Sequence, residues 1–358
     1  MAIQNYSLAN PRLGKFKGEI LKHAVPLEVL SRTGRQIQFP KNMSDTYVAR
    51  RFLPYGATST DQNTQNRFFA DNSGVDRGNV IVQGHQVQEG VTPQPDSIQP
   101  VDVTVVIVEY ACLYGYTDKT ADLYEDDVPK EMAQIVGERV TLVNEMIAWG
   151  ALRAGTNTFY SGGTSIASVS ATITLGFLRK IAKNLQANHA KPMNRVLKAS
   201  PLYGTDAVAE GYTVYCHTDM EPDIRDLPNF VPAEKYASGK PLPNEIGKCE
   251  RFRFITSPDL PPLQDAATSV TAATFNLQSL SSNHPDVYPF IVAGQDAWSQ
   301  LAVRGLEGLD PTVLPPGEKS KSDPHGQRGY VGTKWWKAFL LENQGWFAVA
   351  YAGIKVLS

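Results

Sequence analysis

Residues able to do acid–base, metal or nucleophilic chemistry are scattered along this 358-residue chain rather than grouped. In the segment TDMEPDIRD, Asp219, Glu221, Asp223 and Asp226 stand at spacings close to those of a calcium loop. Ile224 occupies the place that needs glycine, and no Glu follows at the required distance, so the segment reads as a solvated helix start. A second acidic group, Asp122, Glu125, Asp126 and Asp127, precedes a helical pattern. It reads as stabilisation of the helix N-terminus, with a metal or partner-lysine site as the alternative. The histidines, His23, His85, His189, His217, His284 and His325, form neither an HExxH nor a Cys/His zinc pattern. Cys216 and His217 are adjacent, and on a strand adjacent side chains point to opposite faces, which makes no nucleophile–base pair. Gly326, Gly329 and Gly332 lack both the Lys-Ser/Thr ending of a phosphate loop and the order of a dinucleotide fingerprint. No Gly-x-Ser-x-Gly elbow is present. No catalytic residue, cofactor or metal site is assigned, and the pattern points to a structural role.

The elements that would have to position such a site are more informative than the site itself. The longest helical pattern runs from Asp127 to Gly155, with Met132, Ile135, Val136, Val140, Val143, Met146 and Ile147 recurring at steps of three and four. Asp127 suits the cap, Pro129 the first turn and Glu131 the positive end of the dipole, while Arg153 and Gly155 mark the stop. At 1.5 Å per residue this is a beam of roughly 40 Å. Before it, Thr46 to Leu53 reads as a strand, Thr58 to Pro100 as a long polar excursion, and Val101 to Tyr116 as one strand dense in β-branched residues. A strand, an excursion and a strand suggest a two-stranded projection, since loops of that length are rare inside compact domains.

After the beam, Leu175 to Asn188 reads as an amphipathic helix with Leu178, Ile181, Ala182 and Leu185 on one face. Pro192 to Ala199, Tyr212 to His217, Arg251 to Thr256 and Pro289 to Ala293 read as strands. Thr218 to Asp226 starts a helix, Gln295 to Arg304 reads as helical, and Trp335 to Leu341 with Trp346 to Tyr351 reads as a terminal hairpin around Glu342 to Gly345. Residues Met1 to Pro40 suggest an arm with a helix near Glu19 to Leu30. Strands on both sides of the beam, without a βαβ rhythm, give the class α+β.

Hydrophobic content of 42%, charged content of 20% and a net charge of −2 describe a foldable chain with no overall basic surface for gripping nucleic acid. Cys112, Cys216 and Cys249 lack paired spacing, which fits a reducing compartment, and each reads as a packing residue. The first residues lack a signal core, and no run of ~18 apolar residues occurs, so a soluble, unsecreted product is expected.

Several stretches carry a family likeness in collinear order. They are LKHAVPLEVLSRTGRQIQFPKN in the arm, QEGVTP near the second strand, VPKEMAQIVGERVTLVNEMIAWGALRAGTN on the helix, YCHTDMEPDIRDL and NEIGKCERFRFI in the middle, and DPHGQRGYVGTKWWKAFLLENQGW near the end. With these, the chain resembles the major capsid proteins of tailed bacteriophages, of Hong Kong 97-type fold and the large-podovirus branch. The likeness runs from about Leu21 to the C-terminus. One departure is the stretch Thr58 to Gln88, longer than the family's link to its EGVTP-like element.

The resemblance implies an N-terminal arm at 1–43, a peripheral-domain strand at 44–57, an extended loop at 58–100, and a peripheral domain at 101–170 with its spine helix at 127–155. An axial domain at 171–309 follows, then a loop and returning peripheral strands at 310–358. It implies pentamers and hexamers of the chain closing an icosahedral shell around double-stranded DNA, without sequence-specific binding and without a membrane. Implied partners are a portal protein, a separate scaffolding protein, because only ~40 residues precede the first strand, and a cementing or decoration protein. The setting is the virion capsid, with assembly in the host cytoplasm. Candidate subunit-interface residues are Arg50, Arg51, Glu89, Asp126, Asp127 and Arg328. Some coats of this fold link subunits through Lys–Asn bonds from the extended loop, yet no Lys lies between Lys41 and Lys119 here, so a non-covalent shell is expected. The alternatives are an enzyme of unrecognised class, built on the acidic groups, and a monomeric binding module using Trp335 and Trp336 as a platform.

Overall fold

The structure is a computed structural model, and it describes residues 3–4, 29–30, 34–39, 44–54, 85–92, 98–124, 127–197, 205–236, 241–242, 244–281, 283–303, 311–319 and 321–357. The arm helix expected near Glu19, apart from Val29 and Leu30, and most of the excursion after Thr58 lie outside those residues. Around the beam stand two sheets and a two-stranded ribbon.

The ribbon pairs β3 (Thr46–Phe52) with β4 (Pro100–Val106) antiparallel, from Thr46↔Val106 to Phe52↔Pro100. A further bond from Leu53 N–H to the Gln99 carbonyl, 2.9 Å, brings both ends of the excursion together. The expected projection is thus seen at its base. The single strand expected over Val101 to Tyr116 is instead broken at Ile107, which is buried and donates its N–H to the Asp45 carbonyl at 2.8 Å. Beyond the break, β5 (Val108–Thr117) joins another sheet. A run of β-branched residues fixes strand propensity but not which sheet receives each half.

That six-stranded sheet runs β1 (Ile3–Gln4), β5, β15 (Arg328–Leu341), β13 (Trp298–Val303) and β2 (Arg35–Phe39), with β14 (Thr312–Leu314) also on β15. The helix expected over Gln295 to Arg304 is therefore wrong. Trp298, Ser299, Gln300 and Leu301 are buried between two neighbouring strands, and the pairing overrides a helix-tolerant composition.

The eight-stranded sheet runs β6 (Thr158–Tyr160), β16 (Phe347–Ala352), β12 (Tyr288–Ala293), β8 (Thr205–His217), β11 (Phe252–Ser257), β10 (Glu245–Cys249) and β9 (Phe230–Pro232), with β7 (Met193–Leu197) on β8. The expected terminal hairpin does not form, because β15 and β16 belong to different sheets. Every residue of β16 is buried, which requires both faces covered, whereas β15 alternates. One face of this sheet, with Val214, Phe254, Phe290 and Ala350, packs under the helix Leu175–Ala187 through Leu178, Ile181 and Leu185. Thr174 caps that helix, its hydroxyl accepting the Phe177 N–H at 3.2 Å.

The beam is Val128–Arg153, capped by Asp127, whose Oδ1 accepts the Lys130 N–H at 3.3 Å. Met132, Val136 and Val140 pack on the six-stranded sheet against Cys112, Tyr116, Val331 and Trp335. Ala148, Trp149 and Leu152 pack on the other face of the eight-stranded sheet with Tyr215, Ile291 and Val349. At about 100° per residue these two sets lie on roughly opposite sides of the helix. The expected single stripe is therefore only the first half of the arrangement. Ile135 is 39% exposed, and Val143, Met146 and Ile147 are half-buried. The beam joins two sheets, one with each end.

Candidate subunit interface

The ribbon divides its side chains by the period of two. Tyr47, Ala49, Val103 and Val105 face inward onto Phe39, Ile107, Leu301, Ala338 and Leu340. The other set faces out in register: Thr46 with Val106, Val48 with Thr104, Arg50 with Asp102, and Phe52 with Pro100. Val48, Phe52 and Val106 are 50%, 62% and 51% exposed. A bidentate pair holds the centre of this face, Arg50 Nε to Asp102 Oδ1 at 2.7 Å and Nη2 to Oδ2 at 2.9 Å. The Arg50 hydrogen bond holds the Asp102 carboxyl below its ordinary range. The result is a short outward surface of apolar side chains around one fixed ion pair, chemistry suited to protein contact.

Arg51, one residue on, points the other way. Its Nη1 donates to the Glu342 carbonyl at 3.4 Å, and Arg35 Nη1 stands 3.6 Å from Glu342 Oε2. Partial burial lowers the Arg51 pKa, with the negative charge of Glu342 opposing it. These groups line a groove of about 440 Å³ between the ribbon and the loop joining the last two long strands, with Asn343 and Trp346 on its wall.

The six expected interface residues do not converge. Arg50 is on the outward face and Arg51 beneath it. Glu89 is exposed. Asp126 lies outside the described residues, and Asp127 is occupied as the helix cap. Arg328 is exposed at the start of β15 opposite Thr117, its N–H donating to Asp323 Oδ2 at 2.9 Å. Asp127 and Arg328 share one end of the six-stranded sheet, where the Tyr116 ring covers Gly329 and burial, then the Asp127 charge, raise the Tyr116 pKa.

The acidic segment is mostly committed within the fold. Asp219 Oδ2 accepts the Tyr288 hydroxyl at 3.1 Å, and Glu221 pairs with Arg225 at 2.7 Å. Asp223 is buried, and its Oδ2 accepts the Lys355 N–H at 3.1 Å. Among the described residues no group of three or more His, Cys, Asp or Glu is placed to hold a metal ion. All three cysteines are buried, and burial pushes the Cys216 thiol well up. Trp335 is covered by the beam, its indole N–H donating to Asn144 Oδ1 at 2.9 Å, and Trp336 is partly buried on the opposite face. The exposed two-tryptophan platform is not there. No described helix is long and apolar enough to cross a membrane.

Two buried acids escaped sequence reading. Glu245 accepts from Arg253 Nε at 2.8 Å, from the Tyr236 hydroxyl at 2.7 Å and from the Leu242 N–H at 2.6 Å, a satisfied ion pair inside the fold. Glu145 sits in the second apolar face of the beam and accepts backbone N–H groups from the arm. The only available signal was a lone acid among Met146, Ala148, Trp149 and Leu152.

No known family profile matches the chain. The major capsid protein of Pseudomonas phage KPP21 is 22% identical over 262 residues, which take in 67% of this chain and 65% of that protein. The capsid of Ralstonia phage GP4 superposes with a TM-score of 0.63 at 11% identity, covering 100% of both chains. The head structure of Helicobacter pylori bacteriophage KHP40 gives a TM-score of 0.60 at 13% identity, over 99% of this chain and 98% of that one. The cyanophage Pam1 capsid gives 0.57 at 12% identity, over 98% and 99%. The α+β fold is that of phage capsid subunits, of Hong Kong 97 type.

Proposed function

We propose that this chain, which has the fold of phage capsid subunits, is the major capsid protein of a tailed bacteriophage. Copies associate as pentamers and hexamers into an icosahedral shell that encloses double-stranded DNA without reading its sequence. The observation that carries the proposal is a sequence likeness to a phage major capsid protein through two-thirds of the chain, on a fold matching capsid subunits end to end. The outward ribbon face, with Val48, Phe52 and Val106 in water, supports it, because such a face gains order and burial only against a partner. Repeated heterologous contacts of that kind close rings and shells. The role is structural rather than enzymatic.

The finer reading assigns the beam to a peripheral domain as its spine, the region 171–309 to an axial domain, and 58–100 to an extended loop over a neighbour. Sheet membership cuts across these limits, since β13 lies in the six-stranded sheet and β16 in the eight-stranded one. A portal, a separate scaffolding protein and a decoration protein complete the assembly, in the virion and, during assembly, in the host cytoplasm. The shell is non-covalent, given no Lys from 42 to 118. Expression followed by sedimentation and negative-stain microscopy tests the reading: rings, tubes or shells support it, and a persistent monomer overturns it. Boiling mature particles in detergent should release a 39.3 kDa band, and a ladder would refute the non-covalent shell.

A further inference from the structure

The second apolar face of the beam carries an acid where a core residue would stand. Glu145 is 2% exposed, and its Oε1 accepts the N–H groups of Val29 at 2.7 Å and Leu30 at 3.1 Å, with Oε2 3.3 Å from the latter. Val29 and Leu30 are 2% and 0% exposed and pack in the same cluster as Trp149, Leu152 and Trp298. Leu30 enters a 3₁₀ turn, so two N–H groups that start a turn, and have no partner within it, are satisfied from another element. A few residues on, Gly34 lies flat on Trp298, where an added Cβ would stand 2.4 Å from the ring, and β2 then pairs in parallel with β13. The chain is therefore gripped twice, at 29–30 and at 34–39, and everything before residue 29 departs from a fixed point on the beam. A buried carboxylate is costly unless hydrogen-bonded, so the acid and the seated segment need each other.

We infer that Glu145 is a positioning residue that anchors the N-terminal arm and fixes where it leaves the subunit, so that placing residues 1–28 against a second copy depends on this contact. The dependence on a second copy rests on the capsid reading; the anchor itself does not. The test is amide hydrogen exchange on the purified full chain and on Glu145→Ala and Glu145→Gln, with microscopy of the assemblies each forms. Gln keeps one acceptor oxygen and Ala none. Exchange at Val29 and Leu30 should rise about tenfold or more in the Ala variant and less in the Gln variant, while β12 keeps its protection. Closed shells should become fewer or aberrant in the same order. Unchanged exchange at the two amides in a folded Ala variant overturns the anchor. If the Ala variant does not fold, unchanged exchange in the Gln variant does so. Normal shells from a variant whose arm has been released overturn the dependence of assembly on it. Should the unsubstituted chain form no shells, the capsid reading falls while the exchange data still decide the anchor.

Discussion

Substituting Trp149 by Ala separates the two-sided beam from a one-sided amphipathic helix. The indole is 3% exposed and packs between the beam and the eight-stranded sheet. Its Nε1 has no hydrogen-bond partner, so truncation leaves no new acceptor unpaired and the loss is packing alone. Removing a buried Trp costs about 3–5 kcal/mol, depending on how far the site collapses. Ile135, on the side that periodicity favoured, is 39% exposed, and Ile135→Ala should cost under about 0.5 kcal/mol. Urea unfolding of the unassembled chain, followed by circular dichroism, compares the two variants in one assay. A large loss for Trp149→Ala beside little change for Ile135→Ala supports the two-faced packing. The reverse order would mean that the beam buries a single face throughout and that its C-terminal half does not lie on the second sheet.

Further perturbations probe other joints. Gly329→Ala would place a Cβ 2.4 Å from the Tyr116 ring, so a loss of about 1–3 kcal/mol is expected in the same unfolding assay, partly relieved by adding Tyr116→Leu. On the ribbon, Val48→Asp with Phe52→Ser should leave thermal unfolding of the monomer nearly unchanged and abolish assembly by sedimentation, because both side chains are half or more exposed in the subunit. Asp223 has its pKa raised, chiefly by burial, with the Lys355 N–H opposing. The folded state thus holds that proton more tightly than the unfolded one, and the group costs stability as pH rises through and above the ordinary carboxylate range. Asp223→Asn should flatten that part of the stability profile in thermal melts between acid and neutral pH, whereas parallel profiles would contradict the assignment.

Much of this fold is legible where one rule governs a segment. The caps Asp127 and Thr174, the stripe Leu178, Ile181 and Leu185, and the alternation of Thr46 to Phe52 each report a local choice that the structure keeps. Reading fails where the chain changes sheets. Ile107, the turn before Phe347 and the start of β13 at Trp298 are such crossings, and local propensity carries no record of which partner strand waits beyond. The beam misleads for the same reason, since two short stripes on opposite sides resemble one long imperfect stripe. Of the candidate interface, Arg50 was found but its partner Asp102 was not, because the pairing depends on register across an excursion of some fifty residues. Glu145 and Glu245 look like ordinary surface acids until their backbone and arginine partners are in place.

Image reconstruction of the particles formed by the purified chain tests the central claim most directly. The account predicts closed icosahedral shells in which the outward face of β3 and β4, with Val48, Phe52 and the Arg50–Asp102 pair, is covered by a neighbouring copy. Particles that never close, or shells in which that face stays open to solvent in every copy, would contradict it.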